Sequence, residues 1–262
     1  MDKPELLLTR LDEIGASLAA SGHALALIAL GSAGNQRARL DDYSDLDFFA
    51  IVEAGRKQAF LDDLGWLSSL CPVAYSYRNT HDGHKLLFDD GVFCEFAVFE
   101  MHELARIPFA PGRIVWKRAD VPDAQLLPEP HWSTAPERSV EWLLGEALTN
   151  LYVGLSRHAR GETLAAMRAI QVCAVDRVLE LGALLQQETG SGRDVFAFER
   201  RYEQRYPAGV QWLPRFMPGY EHNVESALAI LAFLGAHFDL DPAMRRAIES
   251  LCERESRGVR GM

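Results

Sequence analysis

Two short stretches near the start of the chain hold residues that could do chemistry together. Leu27-Ile28-Ala29-Leu30 runs into Gly31-Ser32, and twelve residues later Asp45-Leu46-Asp47 opens the run Phe48-Phe49-Ala50-Ile51-Val52. Each apolar run reads as a β-strand. Strand residues two apart share a face, so Asp45 and Asp47 project together with Cα atoms about 6.6 Å apart. Both faces of the second strand are apolar behind them, which marks an internal strand. Two carboxylates at the edge of a buried strand cost free energy unless they are paired or coordinated. A hard divalent cation meets that demand, and Mg²⁺ commonly completes its shell with water and substrate phosphates. Gly31 can take the positive φ that a phosphate-binding turn requires, and Ser32 adds a hydroxyl beside the turn's N–H groups.

A third carboxylate is expected to complete the site. Glu95 is the only charge inside the strand Val92-Phe93-Cys94-Glu95-Phe96-Ala97-Val98-Phe99. A charge in such a run needs a partner or solvent. Glu100 and Glu103, just beyond, read as the entry to a short helix and are weaker candidates. His81 and His84 flank an Asp-Gly turn, but two histidines lack a third ligand of zinc type.

These residues resemble the pattern of the DNA polymerase β-like nucleotidyltransferases: apolar strand, Gly-Ser, a loop of this length, Asp-x-Asp, and a third acidic residue on a later strand. Within that superfamily the chain is most similar to the two-domain lincosamide and aminoglycoside antibiotic nucleotidyltransferases. Asp42-Tyr43-Ser44-Asp45-Leu46-Asp47-Phe48 carries the similarity, and Cys94-Glu95-Phe96 falls where the third carboxylate stands. Asn150-Leu151-Tyr152 and Arg160-Gly161-Glu162 look like pieces of the group's second domain. The loop from Ala33 to Tyr43 matches by length, so Arg37 and Arg39 gain no role from it.

The resemblance implies transfer of a nucleoside monophosphate, AMP if ATP is the donor triphosphate, to a hydroxyl. Two Mg²⁺ ions would be held by Asp45, Asp47 and Glu95, with Glu95 as ligand, as base, or both. Gly31 and Ser32 would grip the pyrophosphate. The acceptor is left open between a small molecule, such as an antibiotic, and a protein hydroxyl of the toxin–antitoxin kind; a non-catalytic nucleotide-binding regulator is the reading from another class. Many enzymes of the antibiotic group are dimers, which is compatible with a homodimer here.

Composition narrows the partners. The net charge of -10 argues against nucleic acid as acceptor. Residues 1–130 carry 20 acidic and 12 basic side chains, a balance of -8, and residues 131–262 carry 17 and 15, a balance of -2. An acidic first half would suit a cationic acceptor, such as an amino sugar or a lincosamide amine. No apolar stretch approaches the roughly 20 residues of a membrane span. Four scattered cysteines without a Cys-x-x-Cys pair, and an acidic N-terminus unlike a targeting peptide, fit a cytoplasmic protein.

The elements that must position these groups follow from periodicity. Pro4 to Ala20 reads as an amphipathic helix, Ala24 to Leu30 as the first strand, and Arg56 to Leu70 as a helix. Strands are expected over 72–78, 85–88, 92–99 and 114–117. Four prolines crowd residues 119–136, a linker by composition. Thr134-Ala135-Pro136-Glu137 has the form of a capping box. Beyond it the chain reads as helices: one ending near Gly161, one over 164–185, a short one over 194–205, and two more over 223–238 and from Asp241. The fold class expected is α+β: a polymerase β-like catalytic domain over 1–120 with a mixed sheet and helices, a linker over 121–134, and an all-α bundle over 135–262 contributing to an acceptor cleft.

Overall fold

The computed structural model describes residues 1–128, 138–190, 194 and 197–258. The chain divides into two compact units, 1–134 and 135–262. The first is α/β in content and the second is helical, so the protein is α+β.

The first unit is built on a six-stranded mixed sheet. Its strands are β1 (Ala24–Ala29), β2 (Leu46–Val52), β3 (Val73–Arg78), β4 (Gly83–Phe88), β5 (Phe93–Glu100) and β6 (Arg113–Lys117), in the spatial order β3-β4-β5-β2-β1-β6. β2 and β5 run parallel, and the other pairs are antiparallel. β2 is therefore internal, as its two apolar faces require. Leu46, Phe48, Ala50 and Val52 point to one face, where they pack with Cys94, Phe96 and Val98 of β5 and Leu86 and Phe88 of β4. Helix α1 (Lys3–Ala20) covers that face with fully buried Leu7, Leu11, Ile14 and Leu18. Its start is fixed by Asp2, whose side chain accepts a hydrogen bond from Glu5 N, and by Pro4 in the first turn.

The other face of β2 carries Asp47, Phe49 and Ile51. Its far half is apolar, with Ile51, Phe99, Leu104, Phe109 and Leu126 packed together. Helix α4 (Met101–Leu104) stands over it, opened by a reciprocal cap between Glu100 and Glu103. Glu103 also pairs with Lys57 at 2.6 Å, and Glu100 accepts from Gly55 N at 2.7 Å. Both glutamates thus serve the local fold rather than the carboxylate site.

The single helix expected over 56–70 is two, α2 (Lys57–Asp62) and α3 (Gly65–Ser68). Asp63 breaks it by accepting from Gly65 N at 2.8 Å, a local bond that competes with helix. The first strand ends at Ala29, one residue early, because Leu30 O already accepts from Gly34 N in the turn.

In the second unit, α5 (Val140–Ala159) is capped by Ser139, whose hydroxyl oxygen accepts from Trp142 N at 3.1 Å. The helix therefore starts later than a cap at Thr134 would place it; residues 134–137 lie outside the described residues. The segment read as one helix over 164–185 is α6 (Thr163–Met167), a π-helical stretch (Arg168–Ala174) and α7 (Val175–Ala183). Within the wide turn, buried Gln171 donates to Gly219 O and Asn223 Oδ1 and accepts from Gly219 N.

Of the helix expected over 194–205, residues 195–196 lie outside the described residues, and among the rest α8 (Tyr202–Arg205) is helical, preceded by Arg201 at φ 60°, which a continuing helix cannot contain. A short α9 (Leu213–Phe216) follows, then α10 (Asn223–His237) and α11 (Pro242–Gly258), the last capped by Asp241. Leu151, Leu155, Ile170, Val178, Ile230, Leu234 and Ile248 share one core. Among the described residues no helix is long and apolar enough to cross a membrane.

Candidate active site

The turn after β1 and the start of β2 are locked together by the backbone. Leu30 N donates to Asp47 O at 2.7 Å, and Gly31 O accepts from Gly34 N and Gln36 N. Gly31 sits at φ 55°, and a Cβ built on it would lie 3.2 Å from Asp47 Oδ2. Glycine is required here twice over, by its backbone conformation and by the carboxylate beside it. Ser32 follows and is buried, 8% exposed. Asn35 ties the turn to the chain before β6 by donating to Pro111 O and Gly112 O at 3.1 Å.

Asp45 is delivered by a turn braced through side chains. Asp41 Oδ1 accepts from Tyr43 N at 2.9 Å and from the Ser44 hydroxyl at 3.1 Å, while Ser44 Oγ accepts from Asp41 N. Asp45 is the last residue before β2 rather than its first, and Asp47 is the second residue of the strand. Both are half-buried.

Glu95 joins them across the one parallel pair among the described strands. Its register partner on β2 is Asp47, which sets the two backbones about 4.8 Å apart with side chains on one face. Two neighbouring carboxylates repel, and a feature missed at the level of sequence offsets this. Glu95 is also the register partner of Lys85 on β4, and Lys85 Nζ lies 3.0 Å from Glu95 Oε2. Asn79, at the end of the β3–β4 hairpin, donates to Glu95 Oε1 at 3.0 Å.

The row continues to Tyr77 on β3, so Asp47, Glu95, Lys85 and Tyr77 line up across four strands. A signal for Lys85 was present: Asp90-Gly91, with Gly91 at φ 83°, is the turn that pairs Leu87 with Phe93 and hence Lys85 with Glu95.

The electrostatics agree with this packing. The bond and charge of Glu95 raise the Lys85 pKa, and Tyr77 and Asp47 add to the effect, so the ammonium persists well above neutral pH. Burial pushes the Cys94 thiol up to about 12, with Asp45, Asp47 and Asp90 adding to the rise against Arg10. His84 and His81 do not form a metal pair: His81 is exposed, while His84 is buried on the opposite face, its ring stacked on Phe96 at 5.7 Å. Neither His84 ring nitrogen has a hydrogen-bond partner. Burial, then the charge of Arg78, lowers its pKa; the Leu61 backbone opposes the shift without meeting hydrogen-bond geometry.

The donors present suit a hard cation held by two carboxylates. Asp45 and Asp47 offer oxygen only, and the missing Cβ of Gly31 leaves room against Asp47 Oδ2. Among the described residues no three His, Cys, Asp or Glu side chains stand as a metal-holding group. Glu95 belongs to the same row but is engaged by Lys85 and Asn79.

No family model matches the sequence, and no curated protein matches it. Solved structures do. A protein described as a nucleotidyltransferase, from Sulfolobus solfataricus, is 18% identical with a TM-score of 0.29, over 45% of this chain and 86% of its own. An aminoglycoside 6-adenyltransferase from Bacillus subtilis is 13% identical with a TM-score of 0.32, over 96% of both chains. A STING-associated c-di-GMP synthase from Capnocytophaga granulosa is 12% identical with a TM-score of 0.29, over 95% of this chain and 79% of its own. At such TM-scores the case for a chemistry rests on the chain's own residues.

Proposed function

We propose that this chain is a nucleotidyltransferase of the DNA polymerase β-like kind, which moves a nucleoside monophosphate from a triphosphate, with ATP as the first candidate, to a hydroxyl of a small acceptor. The observation that carries the reading is Gly31, in a left-handed conformation with its Cβ position 3.2 Å from Asp47 Oδ2. A turn suited to phosphate oxygens and the Asp47 carboxylate on β2 thus stand side by side, which supports the reading.

In this reading Asp45 and Asp47 hold Mg²⁺, which when bound would neutralise the triphosphate and favour charge build-up on the leaving oxygens. The N–H groups of the turn and the Ser32 hydroxyl donate to phosphate oxygens. Glu95 takes the proton of the acceptor hydroxyl. The acceptor oxygen forms a bond to the α-phosphorus as the bond to pyrophosphate breaks, and the proton ends on Glu95. Asp45, Asp47 and Glu95 make the site acidic, which favours a cationic acceptor such as an aminated sugar or a lincosamide, and a net charge of -10 disfavours nucleic acid. Four free cysteines favour a reducing compartment such as the cytoplasm.

The test is pyrophosphate release with ATP or GTP against lincosamides, aminoglycosides and simple sugars. Release that depends on acceptor and Mg²⁺, and is lost in Asp47→Asn, is the expected result. Release at the wild-type rate by Asp47→Asn would sink the assignment. A labelled protein band in place of a labelled small molecule would move the acceptor to a protein hydroxyl.

A further inference from the structure

The three carboxylates are not equivalent. Asp47 stands against the Gly31 turn, and Asp45 sits two residues before it at the mouth of the strand. Glu95 has both carboxylate oxygens occupied, Oε2 by Lys85 and Oε1 by Asn79, each at 3.0 Å. Both partners come from the β3–β4 hairpin, on the side of Glu95 away from Asp47, because the strand order places β4 and β2 on opposite sides of β5. The pull on Glu95 is therefore away from the carboxylate pair.

The hairpin that exerts it is itself anchored. Lys57 pairs with Asp82 at 2.7 Å, Val98 N donates to Asp82 O at 2.8 Å, and Arg78 donates to His81 O. A side chain held at both oxygens by groups on a braced hairpin has its orientation narrowed, which is what a residue needs if it is to meet a second reactant rather than follow a cation.

We propose that Lys85 and Asn79 are positioning residues that hold Glu95 apart from the cation site as the acceptor-side carboxylate, so that Asp45 and Asp47 alone supply the protein ligands to the metal. This rests on the nucleotidyltransferase reading. Lys85 also balances the charge of Glu95 beside Asp47, which lets two carboxylates stand on adjacent strands before any cation arrives. Asn79 carries no charge, so its contribution is orientation only. The pair therefore separates two roles, charge balance and aim, in two residues that can be changed one at a time.

The experiment is calorimetric titration of full-length protein with α,β-methylene-ATP at saturating Mn²⁺, alongside steady-state kinetics with whichever acceptor the pyrophosphate screen identifies. Asp47→Asn should weaken analogue binding about tenfold or more, whereas Glu95→Gln should leave it within about twofold while abolishing turnover. Asn79→Ala and Lys85→Met should lower kcat about tenfold or more with the KM for ATP unchanged, and Lys85→Arg should recover much of the loss.

Loss of analogue binding in Glu95→Gln equal to that in Asp47→Asn would overturn the proposal and make Glu95 a metal ligand. Wild-type kcat in both Asn79→Ala and Lys85→Met, with circular dichroism showing both folded, would also overturn it. The parent reading fails separately: then the wild type binds no analogue and Asp47→Asn changes nothing.

Discussion

The two faces of strands β2 and β5 are made by alternate residues of the same short segments, yet they do different work. On one face Leu46, Phe48, Ala50, Cys94, Phe96 and Val98 are all buried under α1 and α3. On the other, Asp47 leads a row that turns apolar at Phe49 and Ile51, and Glu95 stands between Phe93 and the apolar Ala97 and Phe99. One face is a continuous core; the other is a core at one end and a charged ledge at the other. Period-two alternation lets a strand carry charges near its start on one face while the other face stays packed.

The largest expected effect tests the charged face. On the proposed reading, Asp47→Asn should cut transfer by about a thousandfold or more while moving the unfolding midpoint little, since a ligand to the cation would be lost and the core left untouched. A large fall in stability would mean that the carboxylate is structural. Phe48→Ala is the mirror case. Phe48 is fully buried, stacked on Phe96 at 5.2 Å and edge-on to Trp66 at 6.3 Å. Its truncation should cost about 3–5 kcal/mol in denaturant unfolding, with the folded fraction keeping its turnover. Loss of turnover without loss of stability would erase the division between the faces.

Gly31→Ala lies between the two. A residue with Cβ at φ 55° costs about 1–2 kcal/mol, and its methyl would press on Asp47 Oδ2 from 3.2 Å. Both stability and transfer should fall, each less than in the variants above. A fully active Gly31→Ala enzyme would show that the turn does not set the position of Asp47.

The smallest effect probes the exception on the apolar face. His84 is neutral in the fold at a pH where the unfolded chain, with a pKa of about 6.5, is already protonating. The unfolded state then binds more protons, so stability is highest above pH about 6.5. It falls as pH drops from there towards the lower folded-state value. His84→Phe should flatten this limb in thermal melts between pH 7 and 5. An unchanged limb would assign it to other groups.

Much of the placement of the candidate site was legible in the sequence because its signals are local. The apolar run after Asp47 marks an internal strand, and the Gly31 turn stands beside Asp47 as the short spacing suggests. That Glu95 would stand near the aspartates was expected, but its direct register with Asp47 was not legible, since parallel pairing joins strands that no turn connects. Lys85 could have been found by counting back from Asp90-Gly91, but Asn79 could not, because it reaches Glu95 only through the folded hairpin.

The helices failed where a side chain outcompeted the backbone pattern. Asp63 interrupts 57–68, and the π stretch at 168–174 surrounds a buried Gln171 whose partners Gly219 and Asn223 are distant in sequence. Apolar periodicity is blind to both.

The parallel pairing of β2 with β5 also imposes an order of assembly. β1 and β2 are close in sequence, so the Gly31 turn and the aspartate pair can form as soon as the chain through Val52 has collapsed on α1. Glu95 arrives only after α2, α3 and the β3–β4 hairpin have folded and closed the crossover, a non-local event with the higher entropic cost. A nascent chain would therefore hold Gly31, Asp45 and Asp47 together before it owns Glu95. The row of Asp47, Glu95 and Lys85 would be completed by that long-range contact rather than by the local pairing of β1 with β2.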